Sequence, residues 1–248
     1  MHCFYVENSQ ISENSITITG DDVNHMKNVL RMNIGERVKI CDGEGKDYYC
    51  EIASFEKNQV IADIMEIKET ESELPAKIYL FQGLPKKDKM ELIIQKSVEL
   101  GVYEVIPVNM KRCVAKIEDG KKEKKKLERW QSISTAAAKQ SGRGIIPKVH
   151  SLISFKEALA MAKEMDIAIV PYELADHIEK SHEVIKKAAE KKSVAIFIGP
   201  EGGFDEKEIQ LALEEEFDTI TLGKRILRTE TAGLTILSIL MFQMELNN

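Results

Sequence analysis

Two short stretches gather the residue types that chemistry needs. Gly199-Pro200-Glu201-Gly202-Gly203-Phe204 sets three glycines around one carboxylate. Leu222 to Ala232 (L-G-K-R-I-L-R-T-E-T-A) sets Lys224, Arg225 and Arg228 beside one carboxylate, Glu230, with the apolar pair Ile226-Leu227 between them. Glycine lets a backbone approach a ligand closely. The first stretch is followed by no Lys-Ser/Thr and lacks GxGxxG spacing, so it is neither a Walker loop nor a dinucleotide fingerprint. A carboxylate inside the turn is hostile to pyrophosphate. The chemistry that fits is the binding of a neutral or cationic ligand, or one held through an adenosine moiety. Arg228, next to apolar residues at the second loop, is suited to negative charge. On these residues alone the first stretch reads equally well as a tight strand-to-helix turn, and Lys224 and Arg225 as solvated cations.

The flanking patterns place both stretches at the ends of strands. Val194 to Ile198 is an apolar run that ends in the glycine turn, and Asp205 with Glu208 three residues on reads as a capping box opening a helix. Phe217 to Leu222 is a second strand ending at Gly223. Two loops at the carboxyl ends of parallel strands make a ligand crevice in an open α/β sheet. Upstream, Lys77 to Gln82 reads as a strand, Lys86 to Leu100 as a helix closed by Gly101, and Val102 to Val108 as a strand. Lys121 to Lys139 and Phe155 to Lys163 read as helices, Asp166 to Val170 as a strand, His177 to Glu190 as a helix, and Thr235 to Met244 as an apolar closing helix. This alternation predicts an α/β domain with a mostly parallel sheet covered on both faces. Residues 1 to 70 differ. Ser15 to Thr19, Glu36 to Cys41, Tyr48 to Phe55 and Gln59 to Ile67 are short strand candidates separated by turn residues, which predicts a small β-barrel. The expected organisation is a β-barrel domain over 1–70, a linker over 71–76 and an α/β domain over 77–248.

Composition narrows the partners. The chain of 248 residues has a net charge of −6, unevenly spread: residues 1–70 carry −6, residues 77–148 carry +9 and residues 149–248 carry −7. A basic middle between acidic flanks suggests a polyanion surface, or else solvated helix faces. No apolar span is long enough to cross a membrane, and no secretory leader pattern opens the chain. The cysteines Cys3, Cys41, Cys50 and Cys113 form no CxxC pair, which argues against a zinc site and for isolated thiols in a reducing, cytoplasmic setting.

The segments F-I-G-P-E-G-G-F and L-G-K-R-I-L-R-T-E-T-A resemble the two C-terminal signatures of the SPOUT (trefoil-knot) methyltransferases, and more narrowly those of the RsmE family. H-M-K-N-V-L-R at His25, D-G-E-G at Asp42, the run from Gln82 to Val102 and A-K-Q-S-G-R at Ala138 are similar to that family as well. Met26 stands where the family pattern has a second histidine. The resemblance implies a PUA-like N-terminal barrel, a C-terminal domain with a deep trefoil knot, and a homodimer. It implies S-adenosylmethionine as methyl donor, with no metal, and N3 of a uridine in 16S ribosomal RNA of the small subunit as acceptor. A SPOUT enzyme acting on tRNA or a ribose hydroxyl, and a non-catalytic RNA-binding relative, are the rival readings. Carried over residue by residue, Gly199, Glu201, Gly202, Leu222, Gly223, Ile226, Leu227 and Thr231 are cofactor contacts, with Val170 and Tyr172 on a third wall. Arg228 and Glu230 are the catalytic candidates: Arg228 to stabilise negative charge on the base, Glu230 or Glu201 to take the N3 proton. Arg31, Lys86, Lys87, Arg112 and Arg143 are the RNA-contact candidates, with Lys89, Lys111 and Lys121 to Lys126 as further phosphate contacts.

Overall fold

The computed structural model describes residues 1–115, 120–173, 175 and 178–246. By contacts the chain divides into two compact units: Met1–Glu73 with Ala138–Ile146, and Leu74–Ala137 with Pro147–Asn248.

The first unit is built on a five-stranded sheet. Its strands are β1 (Cys3–Tyr5), β2 (Ser15–Thr19), β3 (Arg37–Cys41), β4 (Lys46–Phe55) and β5 (Gln59–Glu69), in the order β1-β3-β4-β5-β2. Only the β1–β3 pair is parallel. A short helix, α1 (Asp21–Asn24), runs on into a wider π turn over His25–Val29. Alternation along the strands sends Ile16, Ile18, Val38, Ile40, Ile52 and Val60 inward, all at 0–1% exposure. Met26 is wholly buried among them, so the departure from the histidine pair is a residue that fills this core. The returning segment from Ala138 is tied in by Tyr5, whose hydroxyl donates to the carbonyls of Ala138 and Arg143. That return was not visible in linear sequence. The thiols are also less isolated than their spacing suggests, since Cys3 Sγ and Cys41 Sγ lie 3.2 Å apart on β1 and β3.

The second unit carries the parallel sheet. Its elements are β6 (Lys77–Gly83), α2 (Lys89–Glu99), β7 (Glu104–Asn109), α3 (Gly120–Ser141, whose last turn belongs to the first unit), β8 (Lys148–Val149), β9 (Ile153–Ser154), α4 (Phe155–Ala162), β10 (Ile167–Pro171), α5 (Ile178–Ala189), β11 (Ser193–Ile198), α6 (Glu206–Glu214), β12 (Asp218–Ile220) and α7 (Thr229–Glu245). The order is β12-β10-β11-β6-β7-β8, with every pair parallel and β9 also on β7. The central strands β6, β7, β10 and β11 are buried along most of their length, as a sheet covered on both faces requires. Phe81 and Phe197 stack at 4.6 Å in the core, with Phe155 and Phe217 against Phe197. Strand and helix bounds follow the expected ones closely except at α7, which starts at Thr229 rather than Thr235. α2 also starts later than expected, because Lys87 has a positive φ of 56° and the chain turns before Lys89. The expected helix start at His177 lies outside the described residues. No described helix is long and apolar enough to cross a membrane, and no group of His, Cys, Asp and Glu among the described residues is placed to hold a metal.

Candidate active site

β10, β11 and β12 are neighbours and parallel, so the loops leaving their carboxyl ends must converge. They enclose a cavity of about 970 Å³, lined by Pro171 to Glu173, Ile198 to Phe204, Thr221 to Thr229, Ala232 and Lys89 among others. That is at the upper end of small-molecule sites.

The first loop depends on two close approaches. A Cβ on Gly199 would lie 3.1 Å from the Gly203 carbonyl carbon and 3.2 Å from the Phe204 nitrogen, so the turn folds tightly on itself. A Cβ on Gly202 would lie 3.1 Å from Arg112 Cβ, and Arg112 Nη1 donates to the Gly202 carbonyl at 3.2 Å. The turn then enters α6 through the expected box: Lys207 N donates to Asp205 Oδ1 at 3.2 Å and Asp205 N donates to Glu208 Oε2 at 2.9 Å. Lys111 Nζ pairs with Asp205 at 2.9 Å and, with Arg112, holds that carboxyl below its usual range. The second loop turns at Gly223, whose φ of +105° only glycine adopts without strain.

The two loops are fastened by hydrogen bonds and ion pairs that the sequence does not show. Thr229, 5% exposed, donates from Oγ1 to the Gly199 carbonyl at 2.6 Å and accepts from Gln82 Nε2 at 2.9 Å. Gln82, wholly buried at the end of β6, also donates to the Gly83 carbonyl at 2.9 Å. Charge provides the second fastening. Lys89 Nζ lies 3.3 Å from Glu201 Oε1 and 3.1 Å from Glu230 Oε2. Glu201 Oε1 also accepts from the Lys86 amide at 3.0 Å. Burial pushes both carboxyls up, yet each ends below its usual range. For Glu201 the opposing causes are its own amide, the Lys86 amide and Lys89; for Glu230 they are its own amide, Lys89 and Arg228. Lys89 in turn is pushed up, chiefly by its hydrogen bond to Glu230. All three groups are therefore charged at neutral pH.

Of the expected cofactor contacts, Tyr172, Gly199, Glu201, Gly202, Leu222, Gly223, Ile226 and Leu227 line the cavity. Val170 does not: it is 1% exposed and packs into the core of the sheet, one residue short of the strand end that opens on the cavity. Thr231 does not either, because α7 begins at Thr229 and turns it to the exposed surface; Thr229 lines the cavity. Arg228 lines the cavity and is exposed. Glu230 is not in the lining and sits behind Lys89, which is. A carboxylate so placed, and held below its usual range, is a weak proton acceptor, and its partner in the fold is Lys89.

Among the RNA-contact candidates, Lys86, Lys87 and Arg112 are exposed on the second unit and Arg31 is exposed on the first. Arg143 is not available. Its side chain is 4% exposed and bound by Glu73, with Nε donating to Oε1 at 3.2 Å, and the Gly144 amide donates to the same oxygen at 3.0 Å. It is a buried strut of the first unit.

Comparison with known proteins gives concordant results. Residues 72–241 match the RNA methyltransferase domain family and residues 18–65 the RNA methyltransferase PUA domain family. The chain is 40% identical over 99% of its length, and 98% of the relative's, to ribosomal RNA small subunit methyltransferase E of Bacillus subtilis. It is 36% identical to the protein so named in Mesomycoplasma hyopneumoniae, over 96% of this chain and 98% of the other. Among solved structures, it is similar to ribosomal RNA small subunit methyltransferase E of Neisseria gonorrhoeae bound to S-adenosyl methionine, with a TM-score of 0.78 and 35% identity over 96% of this chain and 95% of that one. A methyltransferase of Legionella pneumophila with bound cofactor SAM superposes with a TM-score of 0.79 at 32% identity over 96% of both chains.

Proposed function

Because the chain belongs to the family of ribosomal RNA small subunit methyltransferase E, we propose that it methylates N3 of a uridine in the 16S ribosomal RNA of the small subunit, with S-adenosylmethionine as donor. The observation that carries this reading is the cavity itself. Its walls combine glycine turns and apolar side chains with Glu173, Glu201, Lys89 and the cations of the second loop, and the sequence has no Walker-type phosphate loop. The donor fits such walls, since it has a sulfonium cation, an adenosine and no phosphate; when bound it supplies an electrophilic methyl group.

The protein's own residues supply the rest. Uridine N3 bears a proton and attacks only after that proton leaves, so the site must favour the uracil anion. Arg228, exposed at the cavity mouth, faces the acceptor base. Lys86 and Arg112, which contact the first loop at Glu201 and Gly202, and the exposed Lys87 next to Lys86 serve as phosphate contacts, and Arg31 serves the first unit. N3 lies on the pairing edge, so the target base is taken unpaired. A homodimer is supported by α7, where Ile239, Phe242 and Leu246 form an exposed apolar stripe at helical spacing. The protein works on RNA within the ribosomal subunit, in the cytoplasm.

The test is methyl transfer from radiolabelled S-adenosylmethionine to small subunits from cells lacking the protein, with the nucleosides identified by mass spectrometry. The expected outcome is one 3-methyluridine per subunit, largely lost in Arg228→Ala. Label in another nucleoside discards the base assignment. Cofactor binding without transfer to subunits, free rRNA or tRNA discards catalysis.

A further inference from the structure

We propose that Cys3 and Cys41 are a redox-sensitive thiol pair in the first unit, a modification site at which an oxidant of the peroxide class joins β1 to β3 through a reversible disulfide.

Three observations carry this. First, the sheet brings the two sulfurs together. β1 and β3 run parallel, with Cys3 opposite Lys39 and Tyr5 opposite Cys41. The two cysteines are therefore offset by two residues and share one face of the sheet. Across that diagonal Cys3 Sγ lies 3.2 Å from Cys41 Sγ. A disulfide is about 2.05 Å long, so the sulfurs must close by about 1.1 Å. β1 can supply that movement, because it is a three-residue strand at the edge of the sheet.

Second, the two thiols are unlike. Cys41 is buried, its Sγ donates to Asp47 Oδ1 at 3.0 Å, and Lys39 Nζ holds the other oxygen of that carboxylate at 2.9 Å. Its hydrogen bond with Cys3, burial and Asp47 push the Cys41 thiol above its usual range, so it keeps its proton. Cys3 is half-buried, and its hydrogen bond with Cys41 and the charges of Lys39 and Lys139 hold it below its usual value against burial. The thiolate is the nucleophile in such chemistry, so Cys3 is the thiol that reacts and Cys41 the one that resolves. Third, the other thiols lack this combination. Cys50 is 1% exposed and pushed up to about 12 by burial and Asp63, and burial also pushes up Cys113, whose Sγ faces the Val108 carbonyl at 3.7 Å.

The step balances with one peroxide. The Cys3 thiolate attacks a peroxide oxygen, the oxygen–oxygen bond breaks and hydroxide leaves, so that Cys3 becomes a sulfenic acid. Cys41 Sγ then attacks the Cys3 sulfur, and the sulfur–oxygen bond breaks. The proton that Cys41 shared with Asp47 leaves with that second hydroxide as water. Two thiols are oxidised, and one hydrogen peroxide is reduced to two waters. A thiol reductant reverses the link by exchange. Disulfides of this kind in a reducing compartment are transient and sense oxidants.

The experiment treats the reduced full-length protein with hydrogen peroxide, blocks free thiols with iodoacetamide and maps the peptides by mass spectrometry. The expected product is a Cys3–Cys41 linked peptide within one chain, lighter by two hydrogens and lost on adding dithiothreitol, with Cys50 and Cys113 alkylated. Cys3 should be oxidised at least about tenfold faster than Cys50. In Cys41→Ser, dimedone should trap a sulfenic acid on Cys3. In Cys3→Ser, Cys41 should stay a free thiol over the time in which the unaltered protein is linked. The linked peptide from the unaltered protein decides the matter even where a variant fails to fold. Peroxide that leaves both thiols free, or carries Cys3 to sulfinic acid with Cys41 intact, would overturn the proposal. So would links formed only between chains, which would make Cys3 a surface thiol, or oxidation of Cys41 at an unchanged rate in Cys3→Ser.

Discussion

Thr229→Val tests the fastening of the cofactor loops. Valine keeps the shape of threonine, so no cavity opens, and the change removes only the hydroxyl. That hydroxyl makes two hydrogen bonds, one to the Gly199 carbonyl at 2.6 Å and one from Gln82 Nε2 at 2.9 Å. Gln82 keeps its second bond, to the Gly83 carbonyl at 2.9 Å, but the Gly199 carbonyl loses its side-chain donor. The site is enclosed, with Thr229 at 5% and Gln82 at 0% exposure. A net hydrogen bond stabilises by about 0.5–1.5 kcal/mol and a buried acceptor left unsatisfied costs about 1–3 kcal/mol. The expected destabilisation is about 2 kcal/mol, which for a unit of this size is a fall in Tm of roughly 4–8 °C. Because Gly199 is part of the cavity wall, affinity for S-adenosylmethionine should fall about tenfold as well. Thermal unfolding and calorimetric titration measure the two effects separately. Thr229→Ser keeps the hydroxyl and should retain affinity. The reasoning is refuted if Val and Ser lose the same amount, or if Val loses nothing.

Other changes follow from the same packing. Gly83→Ala would place its Cβ 2.7 Å from both the nitrogen and Cδ of Pro200 and 2.9 Å from Met110 Sδ, overpacking that should cost about 1–3 kcal/mol and push the glycine loop outward; melting curves with and without cofactor check it. Gly233→Ala in α7 should instead be neutral or stabilising, because its nearest neighbours lie at 3.6 Å and 3.7 Å and alanine favours the helix by about 1 kcal/mol. Glu73→Ala leaves Arg143 buried without its carboxylate and should destabilise by about 3–5 kcal/mol, seen by urea unfolding, with Arg143→Met in the Glu73→Ala background recovering part of it. Glu201 is held below its ordinary value of 4.5, so its contribution to stability is complete above that value and is lost as pH falls through the lowered one; Glu201→Gln should flatten the acid limb of the stability curve below about pH 4.5 and leave its shape near neutrality unchanged.

The strands and the two glycine loops were legible because each has a local cause. Apolar runs of five or six residues ending in glycine mark buried strands, and Asp205 with Glu208 marks a helix start. What sequence could not give was the partner of each charged side chain. Arg143 follows a small-residue helix end and looks like a free cation on a loop; only the fold brings Glu73 to it. Glu230 looks like a carboxylate in the active loop; only the register of α7 shows that it turns toward Lys89 and away from the cavity. Thr229 and Thr231 differ by two residues, and which of them meets the cavity depends on where the helix begins. The fastening role of Gln82, and the need of Lys89 for carboxylate partners where it reads as a phosphate contact, could have been suspected. A glutamine at the end of a buried strand must find partners, and a lysine at a helix start is out of place beside the positive end of the helix dipole.

That last point bears on how the site holds its charge. An ammonium at the first residue of α2 is disfavoured by the dipole of its own helix. Two carboxylates compensate, and neither belongs to that helix: Glu201 is carried by the turn after β11 and Glu230 by the first turn of α7, where a negative charge is favoured. The same contacts that make Lys89 tolerable therefore bind the three elements to one another around the cavity. Removing the lysine would leave Glu201 and Glu230 as unbalanced anions that had shared it. Removing either glutamate would leave the lysine one partner and freedom to swing. The cluster is most economical as a unit of three, which is why substitutions within it should be strongly non-additive. A cycle of Lys89→Met, Glu230→Gln and the double change, read by thermal unfolding, should show the double variant no worse than Lys89→Met alone. If instead the two losses add, the carboxylate stabilises the fold by its own contacts and not through the ammonium.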